Sequence, residues 1–337
     1  MDLKLLLKRG ALVAAANWPV VAIQFVAATV FQVLLAVPII GAAVLIAVLL
    51  GADLAELLQG SLRDTFTTIA STLMSEPIAL FSFMTAFSIV LVGGSVLMFL
   101  LKGGTVTVML AGNEAAGPIE REPITFETFQ SASGFSLRRF TDGCARLFRR
   151  YLALGIALLV VYGLSAVAYL AFVVYGYRTA PGPVVVIGWT FIAAAAAAML
   201  FIWITLVNLL YLLLQIAIAI DDISVGEACR AVARFIRAEY RPLAGIFVVI
   251  LGVVIIATLT SLLAWSGVGL IAFVPLVGLA VFPLQLAALV VRGLLFEYIG
   301  LTALGSYVTL YRRWTGATAT SSAHQEQSLE HPRTSLA

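Results

Sequence analysis

Between Trp18 and Gly51 the chain runs 34 residues without a charged side chain. The apolar segment of a cleaved signal takes about 7–15 residues, whereas a helix crossing the bilayer core takes about 20. In lipid, backbone donors and acceptors have no water to bond, so a spanning segment must satisfy them itself, as a helix or in a closed barrel. Lys4, Lys8 and Arg9 precede the run, and the reading is an uncleaved first span. The rest of the chain repeats the pattern. Of its residues 62% are hydrophobic and 11% charged, against about 25% charged in a soluble domain. So little polar surface cannot face water on all sides. The expected fold class is all-α: a polytopic membrane helical bundle of about six transmembrane helices, arranged as three hairpins with basic amphipathic interfacial helices on the cytoplasmic side.

Spans are predicted near 17–51, 77–101, 151–177, 184–220, 243–265 and 283–311, all in one transmembrane domain, 1–313. Pro38 is expected to kink the first. Between the first two, Leu54, Leu57, Leu58, Leu62, Phe66, Ile69 and Leu73 recur at three- and four-residue steps, which predicts a surface helix with one apolar stripe. Residues 102–150 form the longest polar stretch. There Gly103-Gly104 and Gly112-Asn113 predict turns, Pro118 and Pro123 break helix, and helix resumes near Ser136. Gly93-Gly94 and the run Ala193 to Ala198 suit close helix approach in lipid. Ser224-x-x-Glu227 reads as a capping box. The stretch 266–282 reads either as a re-entrant piece before one long last span or as part of two spans. The polar tail, 314–337, is expected to be disordered and cytoplasmic.

Lys and Arg in short loops set orientation. With six spans and the N-terminus inside, 17 of the 20 basic residues fall on the inside. Only Arg63 and Arg178 lie outside, and Arg292 falls within the last span. Both termini are therefore expected in the cytoplasm.

The three inside segments share a plan, a basic amphipathic stretch followed by a hairpin of two spans. In the third, Arg230, Arg234, Arg237 and Arg241 form one helical stripe, and Val225, Cys229, Val232, Ile236 and Tyr240 form an apolar one. In the second, Arg139, Arg146 and Arg150 oppose Phe140, Cys144, Leu147, Phe148 and Tyr151. In the first, Leu3, Leu6 and Leu7 accompany Lys4 and Lys8. The spans begin alike at Trp18-Pro-Val-Val-Ala-Ile23, Tyr151-Leu-Ala-Leu-Gly-Ile156 and Arg241-Pro-Leu-Ala-Gly-Ile246. This plan, closed by Tyr307-x-x-x-Tyr311-Arg312-Arg313, resembles a group of bacterial six-span membrane domains of unknown function. One of them is the membrane domain found beside glycerophosphodiester phosphodiesterases. The resemblance spans about 1–313 and is one of pattern. It implies a location in the bacterial cytoplasmic (inner) membrane; the phosphodiesterase catalytic domain is absent, so that activity is not implied.

Three groups of residues are candidates for function. Arg139, Arg146, Arg150, Arg230, Arg234, Arg237 and Arg241 could contact anionic lipid head groups, each Lys or Arg near such a surface contributing about 1 kcal/mol; the alternative is that they only fix topology. Gln24 and Gln32, eight apart, and Asn208 and Gln215, seven apart, share helix faces, as glue between helices or as a polar intramembrane site. Arg292 and Glu297 are charges within a span, a functional flag by default. They lie about 140° apart around a helix, and Arg292, about 30 Å from Arg312 by helix rise, could anchor at the outer interface. Asp221-Asp222 reads as a capping pair before the next helix, and Glu120-Arg121-Glu122 as a solvated loop.

Cys144 and Cys229 stand far apart with no ligand-like neighbours, and both histidines, His324 and His331, lie in the tail. There is no disulfide framework and no zinc pattern, and no nucleotide loop or nucleophile motif. No catalytic, cofactor-binding or metal residue is assigned, and an enzyme is disfavoured. The expected partners are membrane lipids, chiefly anionic, with further proteins or a second copy of the chain, and no nucleic acid. The leading expectation is a non-enzymatic scaffold or envelope-associated factor. The alternative is a small transporter or lipid-translocating protein with a polar site between helices 1, 4 and 6, and a third is a membrane enzyme acting on lipid head groups.

Overall fold

A computed structural model of the chain describes residues 2–50, 77–123, 125–180, 182–272 and 277–330. Among them it forms nine helices and no strand: α1 (Leu3–Ala16), α2 (Trp18–Leu50), α3 (Pro77–Ala115), α4 (Phe126–Ser131), α5 (Leu137–Thr179), α6 (Pro183–Asp221), α7 (Val225–Ala238), α8 (Tyr240–Ala272) and α9 (Val277–Glu330). Six of these hold a stretch long and apolar enough to cross a membrane: Trp18–Gly41, Leu80–Ala115, Leu137–Thr179, Val184–Asp221, Tyr240–Ala264 and Pro283–Ala317. The surface helix expected over 52–76 lies outside the described residues.

The chain divides into two compact units, Ile23–Phe99 and the rest, Met1–Ala22 with Leu100–Ala337. The first holds most of α2 and the first part of α3. Gly94 lies against the Phe31 ring, where a Cβ would overlap it, and Val33, Ile40, Ile78 and Ile89 are exposed, as lipid-facing side chains are. Helix α2 continues through Pro38 to Leu50.

The second unit is explained by helix length. Helix α5 has 43 residues, about 65 Å at 1.5 Å per residue, twice the hydrocarbon thickness of about 30 Å. Its two halves differ accordingly. Phe140, Cys144, Leu147, Tyr151 and Leu154 are buried, while Ile156, Val160, Leu164, Val167 and Leu170 are exposed. In α6 exposure at Val184 to Leu210 gives way to burial from Leu213 to Ala219, and in α9 exposure at Leu284 to Leu295 gives way to burial from Ile299 to Tyr311. The exposed apolar halves suit lipid. The buried halves, where Arg146, Arg150, Arg312 and Arg313 lie, pack with α1 and α7, α1 lying along α9 and against α4 and α8.

Two of the three expected breaks between basic stretch and span occur. Asn17 separates α1 from α2, its amide donating to Val13 O (2.8 Å) and Ala132 O (3.0 Å) and accepting from Gly134 N–H (2.8 Å). Glu239 separates α7 from α8. Pro19 and Pro242 fall in the first turn of the following helix, where the missing N–H costs nothing. The second stretch has no proline near Tyr151, and α5 runs through unbroken.

Several expectations are corrected. Gly103-Gly104 and Gly112-Asn113 are not turns, because α3 continues to Ala115. A Cβ on Gly103 would come 2.8 Å from Gly143 O, on Gly104 2.6 Å from Phe140 O, and on Gly112 2.8 Å from Ala132 O, so these glycines let backbones approach. Residues 314–330, expected to be disordered, continue α9. Extending a formed helix avoids the nucleation cost, and Ala, Gln and Glu favour it; 331–337 lie outside the described residues. The stretch 266–282 divides between the end of α8 and the start of α9, with 273–276 outside the described residues. The buried face of α7 is Ala228, Ala231, Val232 and Phe235, and Cys229 is exposed. Phe235 takes the lead because Tyr311 and Trp314 of α9 receive its ring, at 5.1 and 5.5 Å between centroids.

Candidate functional site

Helix α7 is set by its cap. The Ser224 hydroxyl accepts from Glu227 N–H at 3.4 Å, and the Glu227 carboxylate accepts from Ser224 N–H at 2.9 Å and from its hydroxyl at 2.7 Å. These bonds to the charged form hold the Glu227 carboxyl below its ordinary range, with a smaller contribution from Arg230. With Phe235 buried, the other side of α7 carries its charge outward. Arg230, Arg234 and Arg237, with Glu227 and Ala233, line an open groove of about 590 Å³. None of the three arginines is in an ion pair among the described residues.

A second groove, of about 390 Å³, lies at the start of α5, lined by Arg138, Arg139, Asp142 and Arg146 together with Thr107 and Ser136. Arg138 reaches Asp142 at 3.9 Å in an exposed pair, and Arg139 donates to Gly134 O. Of the other predicted lipid-contact residues, Arg150 is paired with Asp222, and Arg241 is exposed and lines neither groove.

Asp221 and Asp222 do not cap α7, since Ser224 does. Asp221 accepts from Tyr311 O–H at 2.6 Å, tying α6 to α9. Asp222 ends α6 in the left-handed region, φ 53°, and Arg150 of α5 holds its carboxylate.

The intramembrane candidates separate. Gln24 is buried and Gln32 exposed, so their shared face does not give them one environment. Asn208 is exposed to the lipid side, accepting from Tyr162 O–H at 2.5 Å and donating to Ile204 O at 3.0 Å; it joins α5 to α6. Gln215 is buried, and Tyr151 O–H donates to its backbone carbonyl at 2.8 Å. Glu297 and Lys102 are close enough for their charges to interact. Arg292 points elsewhere, into a groove between α8 and α9, which Asn208 and Gln215 do not line. It also lies about 10 Å by helix rise from Ile299, where burial of α9 begins. It is about 14 Å by helix rise from Pro283, where the apolar span begins.

The most connected polar centre is one that sequence reasoning placed in solvent. Glu120 is 7% exposed. Arg9 of α1 pairs with its carboxylate at 2.7 Å and also donates to Asn113 Oδ1 (2.7 Å), Asn113 O (2.7 Å) and Gly117 O (2.6 Å). Lys8 donates to Glu120 O at 2.8 Å, and Thr309 of α9 to Asn113 Oδ1 at 3.1 Å. Five donors from two helices saturate this corner, so it holds structure together. Nothing local in Glu120-Arg121-Glu122 marks the first carboxylate as the buried one. Among the described residues no three His, Cys, Asp or Glu side chains gather as a metal site.

The fold and its exposed apolar helix faces define a multi-pass, all-α membrane protein. Compared with family models, curated proteins and solved structures, the chain finds no match.

Proposed function

We propose that this chain is a bacterial inner-membrane protein, both termini cytoplasmic, that works without catalysis by holding anionic lipid at its basic end, as a scaffold or envelope-associated factor. The observation that carries the reading is the α7 groove, where Arg230, Arg234 and Arg237 converge without an ion-pair partner among the described residues. Arginine forks suit phosphate, and a helix with one buried apolar face and one basic face is placed to meet a head-group layer. The excess of basic residues on one side, and the resemblance in plan to bacterial six-span domains, support the location and orientation.

The test is R230Q/R234Q/R237Q. At about 1 kcal/mol per arginine, retention of phosphatidylglycerol or cardiolipin at α7 of the extracted protein, read by crosslinking to that helix, is expected to fall by about two orders of magnitude. Unchanged retention, with topology intact, overturns the reading. A reporter fused after residue 337 is expected to be active only in the cytoplasm, and an outside signal overturns the orientation.

A further inference from the structure

Arg292 occupies an unusual place. It lies in the exposed apolar stretch of α9 beside Leu289, Val291 and Leu295, and a charge at such a position is costly unless something answers it. The nearby carboxylate does not. Glu297 is about 140° round the helix, with Lys102 as its opposing charge. Among the described residues no carboxylate stands within 4.0 Å of Arg292, and its guanidinium rests 5.7 Å from the centre of the Phe296 ring. That contact orients the cation and leaves its outward donors available.

The groove it faces has a volume of about 630 Å³. Small side chains make the space, chiefly Ala257 and Ala264 of α8 and Ala288 of α9, with Ile256 and Leu284 as walls. Its residues on α9 run from Leu284 to Ile299, about 22 Å of helix. An apolar slot with one unanswered guanidinium midway along it, about 12 Å of helix from Leu284, complements a molecule that is apolar and anionic at one end. Arginine pairs with phosphate through two parallel hydrogen bonds, and a head group without an ammonium of its own leaves that attraction unopposed, which favours an anionic lipid over a neutral or zwitterionic one.

We propose that the groove between α8 and α9 holds one anionic phospholipid from the surrounding bilayer, its phosphate on Arg292 and the first part of one acyl chain running past Ala288 toward Leu284. The proposal depends on the chain spanning a membrane but not on the basic grooves of α5 and α7.

The experiment places the full-length protein in phosphatidylcholine nanodiscs with a trace of phosphatidylglycerol carrying a photoreactive group in one acyl chain, and maps the labelled peptides. Labelling is expected to concentrate in 253–264 and 284–299. The same probe with a phosphocholine head, which keeps the phosphate but adds a quaternary ammonium that repels the guanidinium, is expected to label these segments about tenfold less. R292Q is expected to reduce phosphatidylglycerol labelling of these segments by a similar factor. Equal labelling by the two head groups on the unaltered protein, or undiminished labelling of R292Q, overturns the proposal. The head-group comparison decides the matter even where a variant fails to fold. Loss of labelling in the triple variant alone would make the α7 groove the site, and would overturn this assignment while sparing the other.

Discussion

Gly10 of α1 and Gly305 of α9 meet backbone against backbone: a Cβ on Gly305 would stand 3.1 Å from Gly10 Cα. Around them Ser306 donates its hydroxyl to Thr302 O at 2.8 Å and to Leu6 O at 3.3 Å, so the two helices are sewn together where they are closest.

A methyl group on Gly10 would run into Thr302 O and the Ser306 side chain, and would stand 2.8 Å from Ser306 N. Gly10→Ala is expected to cost about 1–3 kcal/mol as overpacking. Gly300→Ala, in the same long helix with open space around it, is expected to gain up to about 1 kcal/mol from helix propensity. Thermal unfolding of both variants in one detergent checks this. A Tm for Gly10→Ala equal to that of the unaltered protein would show that the helices do not touch there.

Removing one member of the Arg9–Glu120 pair strands the other. With side chains 13% and 8% exposed, Arg9→Gln and Glu120→Gln are each expected to destabilise by about 3–5 kcal/mol. The double variant is expected to lose less than the sum by more than about 1 kcal/mol, because the two share one network. Additive losses in a double-mutant cycle would dissolve the network.

The capping box has a pH signature. Glu227 is held below its ordinary range, so its contribution is fully present above the unfolded carboxylate value of about 4.3 and is lost as pH falls through the lower folded value. Protection of α7 amides against hydrogen exchange, corrected for intrinsic rates, is expected to fall below about pH 4. Glu227→Gln is expected to flatten that dependence, and an identical profile in the variant would assign the loss to another group.

Asp222 combines a left-handed backbone, φ 53°, with an exposed ion pair to Arg150. Exposed pairs contribute at most about 1 kcal/mol, while the left-handed region costs an ordinary L-residue about 1–2 kcal/mol. Asp222→Gly is therefore expected to be near neutral and Asp222→Val clearly destabilising. Equal unfolding midpoints for the two would remove the backbone argument.

Legibility followed range. The Ser224–Glu227 cap was readable because it is closed within four residues. The burial of Phe140, Cys144, Leu147 and Tyr151 was readable because helical period alone puts them on one face. The α7 face was misjudged where period left a choice: Phe235 is as apolar as Ile236, and the aromatic pair Tyr311 and Trp314 decides between them. Gly103 and Gly104 look like a turn until Phe140 and Gly143 are seen opposite. Among the candidate site residues, Arg230, Arg234 and Arg237 are in one groove as their spacing implies, whereas Arg150 was already spoken for by Asp222.

By itself the sequence determined that this is a membrane-embedded all-α chain of about six apolar spans, because lipid demands a helix-length apolar run and composition leaves no other solvent. It also determined that Arg292 and Glu297 could not serve each other on one helix, because five residues turn about 140°. Only the tertiary structure decided which charges are answered. Arg9 meets Glu120, Tyr311 meets Asp221, and Arg292 opens onto an apolar groove, because an ion pair depends on what another helix brings within a few ångströms, and that distance is not written in any one segment.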